Sequence, residues 1–172
     1  MNTSSSYIRF GAMILTSMVV MFALMYFNTY AFEHVRWSET RFYMTLVMGG
    51  AMAIVMLGYM LGMYKNTKVN ITIFAAGALM LLGALYLVRS QATVGDRSYM
   101  KAMIPHHSIA IMTSERANIE DVRVRKLADE IIRAQRREIK EMNWLISDIA
   151  TNGVAATAEE AETRPPPEFG EN

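Results

Sequence analysis

Three long apolar runs without a single charge limit this chain more than any other feature. They extend over residues 10–32, 42–64 and 71–88. Each reaches the 18 or so residues that cross about 30 Å of hydrocarbon as a helix. In lipid the backbone has to satisfy its own hydrogen bonds, so helices are the expected form. Apolar residues make up 52% of the 172, which is high for a water-soluble domain. The first run has "TYA" (Thr29–Ala31) near its end, similar to a cleavage site. Its apolar stretch is longer than a signal-peptide core and only Arg9 precedes it, so it reads as a retained helix.

Lysine and arginine in the short loops set the orientation. Arg9 and the pair Lys65/Lys68 fall on one side of a three-span topology, Arg36 and Arg41 on the other. The balance places the N terminus inside and the C-terminal domain outside. The chain lacks cysteine, which excludes disulfides and thiolate metal sites. From Arg89 onward there are twelve basic and fourteen acidic side chains, so no basic field exists to hold nucleic acid.

Beyond the spans the pattern becomes amphipathic. Residues 1–90 read as the membrane module, 91–152 as a helical domain and 153–172 as a disordered tail. Asp96 is the expected N-cap of a first helix reaching Ala117, bent at Pro105. Asp121 is the expected cap of a second helix, with Asn152-Gly153 as its stop signal. On the second helix Val124, Leu127, Ala128, Ile131, Ala134, Met142, Leu145, Ile146 and Ile149 repeat at helical spacing. Glu138 falls in the middle of that apolar stripe with Gln135 beside it, a costly place for an unpaired carboxylate. The fold expected is all-α: three transmembrane helices, then an antiparallel helical hairpin. Two helices rarely bury enough surface alone, which points to a homodimer or higher homo-oligomer, or to packing on the spans.

The chain has three histidines, and two are adjacent in "MIPHH". Met100, Met103 and His107 share one helix sector, with His106 at its edge. Imidazole and thioether together suit copper, the thioether favouring Cu(I), and silver is similarly soft. Zinc is the alternative, using His107 and Glu138. The competing reading is a structural His–Glu pair among core methionines. Met112 points away from Met103 on a regular helix. Met44, Met48, Met52, Met56 and Met60 form a stripe on the second span, which reads as packing rather than an ion path, since no span carries an internal ionisable group. Trp37 reads as an interfacial anchor. No nucleophile elbow, phosphate loop or paired-acid motif is present, so no reaction is assigned.

"MIPHHSIAIM" and "IIRAQRREIKEMNWL" resemble the domain-of-unknown-function 305 family, over Asp96 to about Ile149. The resemblance implies half of a ferritin-like four-helix bundle. It also implies copper or silver held by Met103, His106, His107, Met112 and Met142, with Gln135 and Glu138 orienting the imidazoles. It further implies a role in copper capture, buffering or tolerance on the periplasmic face of a bacterial inner membrane, here anchored to membrane lipid. One hairpin stands where longer members have two, so the site is expected to need a second copy.

Overall fold

The computed structural model describes residues 3–170, and every regular element in them is helical. Three helices are long and apolar enough to cross a membrane: α1 (Thr3–Leu24), α2 (Glu39–Met60) and α3 (Thr67–Ser90). The apolar runs predicted their presence but not their ends. α1 begins earlier than the first run because the polar Thr3–Ser6 stretch still hydrogen-bonds as helix. It ends early because Tyr26 and Phe27 turn back onto the carbonyls of Ala23 and Leu24. α2 likewise takes in the polar start Glu39–Arg41 and stops at Met60.

The chain forms two compact units. In the first, α2 packs along α3, and α1 packs on α2. Phe10, Leu57 and Tyr64 are buried together, with Met56 and Met60 against them. Those two methionines of the α2 stripe are therefore packing groups. The polar groups at this end bond each other. Tyr7 Oη donates to Asn70 Oδ1 at 2.8 Å, and Asn70 Nδ2 donates to the Tyr64 carbonyl at 2.8 Å. Asn66 caps α3 by accepting from Val69 N.

The second unit contains α4 (Asp96–Arg116), α5 (Val122–Asn152), α6 (Ala158–Thr163) and the connecting loop 28–38. Asp121 caps α5 by accepting from Arg123 N and Val124 N, and Gly153 ends it at φ 81°, as expected from the sequence. Gly95, not Asp96, is the cap of α4, and Asp96 lies in the first turn, where its charge complements the helix dipole. α4 runs through Pro105 as one continuous helix. Met100, Ile104, Ile111, Ile139 and Met142 form the buried apolar cluster between α4 and α5. Arg125 donates to the Ser114 carbonyl at 3.0 Å and Arg136 pairs with Glu115 at 2.6 Å.

Two expectations need correction. Val124 and Leu127, read as inner-face residues, are 49% and 56% exposed. The last turn of α4 meets α5 through Arg125, which donates to the Ser114 carbonyl, while Val124 and Leu127 face outward. The tail read as disordered has structure: Thr157 Oγ1 caps α6 by accepting from Glu160 N at 3.2 Å. Capping and a few polar contacts replace the apolar surface that this segment lacks. Residues 171–172 of that tail lie outside the described residues.

Loop 28–38 belongs to the second unit through Ser108, which is fully buried. Tyr30 N donates to Ser108 Oγ at 2.7 Å, and His34 Nδ1 lies 2.9 Å from the same oxygen. Ser108 Oγ thus accepts from Tyr30 N and is paired with His34 Nδ1 in a bond whose donor depends on the ring's tautomer. Burial lowers the His34 pKa; Glu33 opposes this and Arg36 adds to it. A histidine depressed on folding contributes fully above its unfolded value of about 6.5 and loses that contribution as pH falls through the folded value. The thermal midpoint is therefore expected to drop as pH is lowered below about 6.5, and the drop should be smaller in His34→Gln. Equal pH profiles by circular dichroism would remove His34 from the loop's docking.

Candidate metal centre

His107 lies on α4 seven residues, nearly two turns, after Met100, so both project from the same side of that helix. On α5, Glu138 and Met142 are four residues apart and share a face in the same way. These four side chains line one cavity of about 590 Å³ within the second unit. Tyr99, Asp96, Glu141, Leu145 and Asp148 extend its walls.

His107 Nδ1 is buried and has no hydrogen-bond partner. It lies 3.4 Å from Glu138 Oε2, near enough for charge to act across the gap but without hydrogen-bond geometry. Gln135 Nε2 donates to that same oxygen at 3.1 Å, which holds the carboxylate in place. Burial pushes the His107 pKa down; Glu138 opposes this, and His106 adds to it. The neutral ring so favoured, with one N–H and one lone pair, is the form a metal ligand requires.

The structure brings together some of the residues named from sequence and separates others. His107, Glu138 and Met142 line the cavity, with Gln135 bonded to Glu138. Met103 packs on the apolar cluster and does not line that cavity. His106 is exposed, and its ring centroid lies 6.0 Å from that of His107. Met112 is half-buried and belongs neither to the cluster nor to the cavity. The adjacency of the histidines separates them because consecutive helical residues diverge by about 100°. Met100 also lines the cavity without having been named from the sequence as a ligand, and its shared sector with His107 was the available signal. His34 contacts α4 at Ser108 and lines a different cavity, with Arg36, Arg136 and Lys140. Among the described residues, no three His, Asp or Glu side chains gather as a metal cage.

The model of the domain of unknown function DUF305 matches residues 85–167. An uncharacterized protein of Acanthamoeba polyphaga mimivirus is 31% identical over 145 residues, covering 80% of this chain and 93% of the relative. The chain belongs to the DUF305 family. The viral relative's match is too long to fit within the DUF305 segment, so it reaches into the membrane module as well. The DUF305 segment itself runs past α5 and includes α6, Arg164 and Pro166, which makes the tail part of the domain. No solved structure matches the chain.

Proposed function

We propose that this DUF305 protein is a membrane-anchored binder of a soft cation, Cu(I) or Ag(I), serving copper capture, buffering or tolerance. The observation that carries the reading is the buried, unpartnered His107 Nδ1 beside Glu138 in a cavity lined also by Met100 and Met142. One neutral imidazole with two thioethers is a soft donor set, and one carboxylate balances a single positive charge. Zinc is less well served, since it favours four nitrogen, oxygen or thiolate donors. Met103, His106 and Met112 are left for a site completed by a second copy. The exposed Val122, Val124 and Leu127 give α5 an apolar strip on which two hairpins can join as a ferritin-like four-helix bundle. The loop charges support a C-terminal domain on the periplasmic face of a bacterial inner membrane.

Titration of the full chain in nanodiscs with Cu(I) against a chromophoric chelator is expected to load about one ion per chain, and Ag(I) to raise the thermal midpoint. Absence of competition, with an unchanged midpoint, would overturn the reading. That result would favour a second one, an interaction module without metal. It is motivated by the packing of Met142 in the apolar cluster and the Gln135–Glu138 bond.

A further inference from the structure

The cavity beside His107 has a third wall that neither α4 nor α5 supplies. Val154, Ala155, Ala161, Arg164 and Pro166 line it from the tail. The chain reverses at Gly153, whose positive φ of 81° permits the turn. Arg164 then reaches back to α5: Nη1 bonds Asp148 Oδ2 at 2.8 Å, and the guanidinium also approaches the Gly153 carbonyl, Nη2 at 3.4 Å. The pair is largely shielded, with side chains 26% and 14% exposed. Farther along, Lys140 Nζ donates to the Gly170 carbonyl at 3.1 Å.

α6 has six residues and none is buried. A helix so short is marginal by itself, and a segment with few buried contacts opens at low free energy. The shielded Arg164–Asp148 pair is then a main tie of the segment to α5, with the Lys140–Gly170 bond farther along. Among the described residues, Arg164 is the one arginine or lysine lining a cavity whose acids are Asp96, Glu138, Glu141 and Asp148. With the tail in place, that positive charge stands at the wall of the cavity that His107 also lines.

We propose that residues 153–170 form a strap that opens and closes the His107 cavity, latched by Arg164 on Asp148. Closed, it shields a cation held by His107 and Glu138 from water and from other ligands. Open, it gives that cation a path in or out. The proposal rests on the cavity described above, not on what fills it, so its test uses no metal and can fail separately from the metal reading.

The experiment uses the full chain in nanodiscs, in a His106→Gln background so that the exposed ring does not report. Two rates are read by mass spectrometry: deuterium exchange of the amides of residues 154–164, and carbethoxylation of His107. Arg164→Gln and Asp148→Asn, which break the latch from opposite sides, are each expected to raise both rates about tenfold, the effect of losing one partly buried ion pair on a local opening. Glu162→Gln, on the exposed surface of α6, should change neither. Unchanged His107 reactivity in both latch variants would overturn the proposal. So would tail amides that already exchange at the unprotected rate in the parent chain.

Discussion

Replacing His107 by alanine is expected to lower Cu(I) affinity by about a hundredfold, while His106→Ala should change it by no more than about twofold. The two residues are neighbours in sequence and alike in chemistry, so the contrast tests geometry. His107 presents a buried nitrogen to the cavity and has no competing bond to break before a metal can use it. His106 is exposed on the other side of the turn, where a substitution removes little more than hydration. Loss of a ligating nitrogen falls at the upper end of what even an outer-shell change costs at metal sites, roughly ten- to a hundredfold. Glu138→Gln keeps the shape and the place for the Gln135 bond while removing the charge. It should weaken binding by about tenfold. Met100→Leu removes a sulfur at nearly constant volume and should weaken Cu(I) more than Zn(II). Competition titrations on the four variants check this. Equal losses for His106→Ala and His107→Ala would mean that both rings ligate, and the cavity assigned here would not be the whole site.

The three long apolar helices were legible because a charge-free run of that length has few other fates, and the α5 cap at Asp121 because a carboxylate before a helix has a specific job. Glu138 could be picked out as unusual from the periodicity of α5 alone. Other parts depend on partners distant in sequence. Ser108 reads as an ordinary polar residue until Tyr30 and His34, some seventy residues earlier, are seen to converge on it. The tail has the composition of a solvated segment, and it is Asp148 and the Gly153 carbonyl that give Arg164 a place to bind. Motif adjacency drew attention to His106 and Met112, whereas helical phase joins Met100 to His107. Phase was the better guide to which side chains line one cavity, because that is set by direction in space.

The largest effect on stability is expected at Gly50, in the membrane module. A Cβ added there would stand 2.7 Å from the Gly77 carbonyl oxygen and 2.9 Å from Leu81 N. Both obstacles are backbone atoms of α3, so neither can rotate away; α2 and α3 would have to separate along their main contact. Gly77 faces the same crossing, where an added Cβ would meet Ile54 Cγ1 at 3.0 Å and the Gly50 carbonyl at 3.2 Å. Small residues permit this close approach, and in lipid, where burial of apolar surface gives no drive, such packing is most of what holds helices together. Gly50→Leu should therefore destabilise the module by roughly 3 kcal/mol or more, and Gly50→Ala by about 1–2 kcal/mol, because the better helix propensity of alanine returns about 1 kcal/mol. Gly49 is the internal control. It is also buried, but its added Cβ would meet the thioether of Met18, a flexible side chain that can move aside. Gly49→Ala should consequently stay within about 1 kcal/mol of the parent. Unfolding in mixed detergent micelles, followed by circular dichroism, separates the two positions. Equal tolerance at Gly49 and Gly50 would show that α2 and α3 do not cross at the Gly50–Gly77 contact.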